Sequence, residues 1–292
     1  MKIQKIFFFW FVSFFCFSAP LSLFSKIIEI CDIQVLAPFI NESNKEDNVL
    51  ILFDIDDTLI DSPISLNSGP WISYYWKNVP KLLPDKMPII EELMWHVSKS
   101  IPILPVDSTS ASLISDCQKI SSMIPLAFTA RPIYKKQIDG IQVTENQLLN
   151  ININFRLTAL PPSLSKHPAL HAGVIFTSGK MKGDFLKKFL SSTGYVPKQV
   201  IVIDDKLDQI ESIEKSMEEA GIKVNCFWYR RASMIRPIFN LQIANVQLEY
   251  LLKHQLILSD EEAAGLLIAY EDRSPEEFLK QLIEFYGKTY FK

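Results

Sequence analysis

An apolar run, Val49-Leu50-Ile51-Leu52-Phe53, leads straight into Asp54-Ile55-Asp56-Asp57-Thr58 and sets two carboxylates and a hydroxyl, Asp54, Asp56 and Thr58, at alternate positions. The run is rich in branched aliphatics and short for a helix, so it reads as a buried strand whose carboxyl end carries acids. Residues i and i+2 of a strand share a face, so Asp54 and Asp56 start on one side of the chain. Two carboxylates so close repel, which raises a pKa or draws in a cation. A hard divalent ion such as Mg²⁺ takes oxygen ligands, often one or two carboxylates with phosphate oxygens and water. One acid can then attack while the other moves protons. The bland alternative is an acidic surface turn. Three acids within four residues at the mouth of a buried strand make that alternative expensive.

In-line phosphoryl transfer also needs a hydroxyl donor, a cation and a further metal carboxylate. Pro125-Leu126-Ala127-Phe128-Thr129-Ala130-Arg131-Pro132 is a short apolar strand ending in the hydroxyl of Thr129, whose structural alternative is a helix cap. Lys182, in Gly179-Lys180-Met181-Lys182-Gly183-Asp184, stands at the start of an amphipathic helix with its apolar stripe over Phe185 to Leu190. It offers a point charge for phosphate. Val200-Ile201-Val202-Ile203-Asp204-Asp205-Lys206-Leu207-Asp208 repeats the opening logic, and either Asp204 or Asp205 can be the first metal ligand.

Phe53 to Leu59, with its Asp-x-Asp-x-Thr pattern, resembles the first motif of the haloacid dehalogenase superfamily of aspartate-nucleophile phosphohydrolases. The resemblance implies an α/β fold with a Rossmann-like core, a parallel sheet with helices on both faces, and a small helical cap inserted after the first catalytic strand. It also implies bound Mg²⁺ and a phospho-aspartyl intermediate. Carried over residue by residue, Asp54 is the nucleophile and Asp56 the general acid/base, with its main-chain carbonyl on the metal. Thr129 and Lys182 meet the phosphate, and Asp204 and Asp205 are the metal acids. An aspartate at the position of Asp56 is the family's phosphatase signature, which its dehalogenases lack. A Lys-Gly pair at a helix start favours Lys182 over Lys180. A second acid four residues on favours Asp204, paired with Asp208, as direct ligand, with Asp205 or Asp208 supporting. The likeness covers about Val49 to Arg230 through four short motifs. Asp54 to Trp76 is further similar to secreted bacterial acid phosphatases with four catalytic aspartates, and to a secreted family of intracellular bacteria. These imply Mg-dependent hydrolysis of a small-molecule phosphomonoester; the alternatives are a catalytically silent binding module on the same scaffold, or a phosphotransferase.

With 292 residues, 48% hydrophobic and 22% charged, the chain can bury one large α/β core and a small cap. A net charge of −3 leaves no basic footprint for a nucleic-acid partner. Lys2 and Lys5 precede an apolar stretch from Ile6 to Phe17, then Ser18-Ala19-Pro20. That is the pattern of a signal peptide over residues 1–25, cleaved between Ser18 and Ser25 or kept as an anchor. Export to the periplasm or beyond is expected, with no membrane contact once the leader is removed. Cys16 leaves with it, and Cys31, Cys117 and Cys226 read as small buried hydrophobes.

Residues 26–48 read as an N-terminal segment and polar linker, and residues 49–240 as the catalytic core with a cap over about 62–105. Helical pieces are expected around Trp71 to Trp76 and Ile89 to Val97, and a helix from Tyr134 to Leu149 broken near Gly140. Trp71, Tyr74, Tyr75, Trp76 and Trp95 suit either a substrate pocket or core packing, the commoner outcome. Residues 241–292 hold helices, two of them opened by Ser259 with Glu262 and Ser274 with Glu277, expected to pack on the sheet edge of the core.

Overall fold

The computed structural model describes residues 27–43, 48–270 and 272–291. The expected leader, with Cys16, and residues 44–47 of the linker lie outside them. The strands are β1 (Ile28–Ile30), β2 (Val49–Phe53), β3 (Ile60–Asp61), β4 (Leu104–Pro105), β5 (Met123–Thr129), β6 (Leu170–His171), β7 (Val174–Phe176), β8 (Gln199–Asp204) and β9 (Lys223–Tyr229). The main sheet runs β1-β9-β8-β2-β5-β7-β6, parallel except where β6 pairs antiparallel with β7. The helices are α1 (Leu36–Ser43), α2 (Gly69–Leu82), α3 (Met87–Ser100), α4 (Ser110–Gln118), α5 (Gly140–Asn150), α6 (Pro162–Ser165), α7 (Lys182–Thr193), α8 (Leu207–Glu219), α9 (Arg231–Ile235), α10 (Leu241–His254), α11 (Asp260–Gly265) and α12 (Pro275–Thr289).

β2, β5 and β8 are buried along their whole length, as strands of a parallel sheet covered on both faces must be. Alternation sorts their side chains: Val49, Ile51, Phe53, Ile201 and Ile203 face α1, α4 and α5, whereas Leu50, Leu52, Val200 and Val202 face α7 and α8. The chain is therefore α/β with a Rossmann-like core, as the alternation of strand and helix patterns predicts.

β3 and β4 pair antiparallel, so residues 62–103, with α2 and α3, form an excursion from the tip of a hairpin that follows β2. Trp71, Tyr75, Leu93 and Val97 of this excursion join Leu248 of α10 and Leu279 and Tyr286 of α12 in one apolar cluster without a residue of the main sheet. The C-terminal helices thus pack on the inserted helices and not on the sheet edge. The sheet faces are already covered, while α2 and α3 present apolar surface that needs a partner.

Two further expectations need adjustment. The helix after β5 starts at Gly140, not near Tyr134, because the Asp139 side chain caps the amides of Ile141 and Gln142. Gly140 is required there: a Cβ would lie 2.6 Å from the Trp95 ring. Cys117 and Cys226 are buried, but Cys31 is exposed, with its thiol directed at the Met234 sulfur.

Candidate active site

Register assembles the site. Phe53 of β2 pairs with Ile203 of β8 on one side and Ala127 of β5 on the other. Asp54 and Asp204 therefore come level at the carboxyl end of the sheet, and Thr129 ends β5 one level beyond. The Asp54 amide donates to the Ile203 carbonyl at 2.9 Å and keeps the chain in register past the strand. The chain then folds sharply: the Ile55 carbonyl accepts from the amides of Leu59 (2.9 Å) and Ile60 (3.0 Å), and Asp57 adopts a φ of 63°. The Thr58 hydroxyl is buried without a hydrogen-bond partner.

Lys182 reaches this point from the first turn of α7. Gly183 makes that possible, because a Cβ there would fall 2.0 Å from the Ser212 carbonyl and hold α7 off α8. The Lys182 side chain is 2% exposed, and its ammonium donates to Asp54 Oδ1 at 2.5 Å and Asp204 Oδ2 at 2.6 Å. Asp54, Asp204 and Asp205 each offer an oxygen within 4.8 Å of the others. Asp204 Oδ1 already accepts from the Lys206 amide, and Asp205 Oδ2 accepts from the Lys206 ammonium at 2.5 Å. Asp205 Oδ1 is buried and has no partner. Asp208 is exposed on α8 and outside the cluster, so the spacing argument that preferred Asp204 over Asp205 loses its footing.

The electrostatics follow from three acids sharing two ammoniums. Burial, against the opposing charge of Lys182, pushes the Asp54 carboxyl up to about 7, with Asp204 and Asp56 adding to the rise. Burial and the charge of Asp54 hold Asp205 well above the ordinary carboxylate range. Burial alone would lower Lys182, but Asp204 and Asp54 outweigh it and hold the ammonium above its ordinary value. One lysine cannot neutralise both its partners, so the acids must take up protons or draw in a cation. An all-oxygen donor set with an unpartnered buried carboxylate oxygen fits a hard divalent cation.

The Asp56 side chain lies outside this cluster. Arg131 binds it in bidentate fashion, Nε to Oδ2 at 2.9 Å and Nη2 to Oδ1 at 2.6 Å. Burial would raise Asp56, but the Arg131 charge and hydrogen bonds overcome it and leave the carboxyl below its ordinary range. Arg131 Nη1 is anchored on Thr144 Oγ1 and Gln147 Oε1, and Gln147 Nε2 donates to the Ser98 carbonyl of α3. The chain of bonds thus runs from Asp56 to the inserted helices. Thr129 Oγ1 is buried and accepts from the Arg131 amide at 3.2 Å.

Arg131, Arg236 and Lys206 are charged residues of the site that sequence reasoning did not assign. Arg236, just after α9, holds Asp57 and, at 2.5 Å, Asp61, and so ties the turn after β2 to the approach of α10. For Arg131 a signal existed: it follows Thr129 by two residues at the end of a strand paired with β2. Arg236 had none, being far from every motif.

A cavity of about 420 Å³ opens beside the centre, between α2, α3 and the turn after β5, with Asp56 and Arg131 in its lining. Of the aromatics singled out from sequence, Trp76 and Trp95 line it, whereas Trp71 and Tyr75 are buried in the helical cluster. Among the described residues no helix is long and apolar enough to cross a membrane.

Fold and site together define an α/β protein with a lysine-bridged carboxylate centre at the carboxyl end of a parallel sheet. The chain belongs to the family described as "Protein of unknown function (DUF2608)", whose sequence profile matches residues 32–264. It is similar to a "Putative outer membrane protein" of Chlamydia pneumoniae, 27% identical over 227 residues, which span 76% of this chain and 83% of the relative. A second protein of that name, from Chlamydia trachomatis, is 27% identical over 224 residues, 75% of this chain and 82% of its own.

Proposed function

We propose that this protein is an exported, divalent-cation-dependent phosphomonoesterase of the haloacid dehalogenase type, with Asp54 as nucleophile. One observation carries the reading: Asp54, Lys182, Asp204 and Asp205 converge at the carboxyl ends of β2 and β8 with more carboxyl groups than ammoniums and a buried carboxylate oxygen that no group satisfies. Asp54, Asp204 and Asp205 would hold Mg²⁺, with the Asp56 main-chain carbonyl beside them. Bound there, the ion supplies positive charge against the phosphoryl oxygens.

Asp56, which the Arg131 pair holds ionised, first exchanges one of those hydrogen bonds for a proton from solvent; Asp54 then attacks phosphorus, and the ester oxygen departs with that proton. A water then gives a proton to Asp56 and its hydroxide opens the aspartyl phosphate, which releases inorganic phosphate and restores Asp54. Lys182 and Thr129 meet the equatorial oxygens. Arg131 orients Asp56 through both carboxylate oxygens and must release one of them for proton transfer.

That clamp also favours a second reading, a silent binding module on this scaffold, because it occupies the proposed acid/base. Hydrolysis of p-nitrophenyl phosphate by the protein without residues 1–25, with Mg²⁺ and with chelator, separates the two. We expect cation-dependent turnover that falls by about 10³ or more in Asp54→Asn. Equal turnover in that variant would sink the nucleophile assignment, and a folded, inactive wild type would leave the binding module. The leader pattern and the names of the chlamydial relatives support export to the periplasm or beyond. Mass determination of the mature N-terminus tests it.

A further inference from the structure

The cavity beside the acidic centre has a chemistry of its own. Ile72 and Trp76 of α2 and Met94 and Trp95 of α3 give it apolar and aromatic walls, and Asp56 and Arg131 stand where it meets the centre. Its charge is as informative as its shape. Arg131 is the one cationic side chain lining it among the described residues, and its three guanidinium nitrogens are committed to Asp56, Thr144 and Gln147. Glu91, the other charged group of the lining, is answered only by Lys136 at 3.4 Å. A carboxylate or second phosphate entering here would lose its hydration, compete with Asp56 for one guanidinium already shared with Thr144 and Gln147, and face acids. An uncharged ring would displace water from the indoles and the thioether.

We propose that this cavity is the leaving-group subsite and that it selects phosphomonoesters of uncharged aromatic or heteroaromatic alcohols. Esters whose alcohol bears a carboxylate or another phosphate are rejected. The assignment rests on the phosphomonoesterase reading, but binding tests it separately from turnover.

The experiment compares kcat/KM for 1-naphthyl phosphate and 3-phosphoglycerate, and in parallel measures calorimetric binding of 1-naphthylmethylphosphonate, which cannot be hydrolysed. The wild type is expected to prefer the naphthyl ester by about 10². Trp76→Ala, at a half-buried site, should reduce that preference and phosphonate affinity by about tenfold. Ile72→Arg should raise phosphoglycerate turnover relative to the naphthyl ester by placing a free cation in the wall. Equal turnover of both esters, with a ratio unmoved in both variants, overturns the subsite and leaves the phosphatase standing. Phosphonate binding that weakens in Trp76→Ala without turnover of either ester keeps the subsite and removes the phosphatase. Neither binding nor turnover of the naphthyl compounds overturns both.

Discussion

The sheet-end centre and the helical body beside it both bury polar groups, yet they treat them differently. In the helical body the buried polar atoms stitch segments together. Gln247 accepts from the Leu66 amide and donates to the Leu258 carbonyl and Asp260, and Asn245 donates to the Pro275 carbonyl. Its buried carboxylate Glu249 is matched by Lys253 and the Tyr270 hydroxyl, each at 2.5 Å. Orphaned atoms occur there too: the neutral Trp71 Nε1 and Asn245 Oδ1, and Oε1 of Glu92, a single buried carboxylate on α3 whose other oxygen accepts from the Tyr134 hydroxyl at 2.5 Å. At the sheet end the imbalance is of charge: Asp54, Asp204 and Asp205 against Lys182 and Lys206. A neutral orphan is a fixed local penalty, whereas surplus buried charge changes with pH and with any cation that enters. A cluster of three acids within reach of one another, and not polar burial or a lone buried carboxylate such as Glu92, therefore marks the candidate site.

The sharpest way to break this comparison is Lys182→Met. Removing the ammonium leaves two buried carboxylates without their shared partner, and the loss should be about 3–5 kcal/mol in chelator. Addition of Mg²⁺ should restore part of it. Urea unfolding with and without cation checks this, and a loss under about 1 kcal/mol, indifferent to Mg²⁺, would show that the centre is no more charged than the helical body.

Proton linkage sharpens the same point. Asp54 rises from an ordinary 3.8 to about 7 in the fold, so in this window the folded state holds more protons than the unfolded chain. The stability this contributes is full below the unfolded pKa and is lost as pH climbs towards about 7. In chelator, unfolding free energy should therefore fall between roughly pH 4 and 7. Saturating Mg²⁺ should flatten the slope, since the cation takes the proton's place. A slope unchanged by Mg²⁺ would contradict cation binding at these acids.

How much of this was legible in the chain depends on the range over which each feature is decided. β2 and β8 were readable because uninterrupted aliphatic runs suit a strand covered on both faces, and the acids follow within the same segment. Lys182 was readable from its place before Gly183 at a helix start, although the physical reason, the close approach of Ser212, needs the fold. The partner of Asp56 left only a faint mark, Arg131 standing two residues after Thr129, and the partner of Asp57 left none. Arg236 looks like any surface arginine until a distant turn is brought to it. The capping boxes at Ser259 and Ser274 located helix starts but carried no information on which body those helices join. That was settled by apolar faces on α2 and α3 some 200 residues away in the chain, on the order of two domain cores' length.

Within the helical body, Gln247→Ala should cost about 1–3 kcal/mol, because it strands the buried Leu66 amide. The loss should be the same with Mg²⁺ and with chelator. A cation-dependent loss at this position would erase the distinction between the two regions.

The smallest effect is the most informative about how the regions communicate. Ser259 and Glu262 form a reciprocal capping box at the start of α11, and the adjacent Asp260 carboxylate holds the amide and hydroxyl of Ser65 at 2.7 and 2.8 Å. Ser65 lies on the stretch that leads to Gly69, where any Cβ would collide with the Asp57 carboxylate. Asp57 in turn is held by Arg236 and stands next to Asp56. Ser259→Ala should cost about 1 kcal/mol and lower the melting midpoint of one cooperative transition. If the cap served only its own helix, a separate early transition would appear and Mg²⁺ affinity would not change. If α11 braces the turn after β2 through Ser65, the single transition persists and Mg²⁺ affinity falls with it, although the substitution removes no acid from the centre.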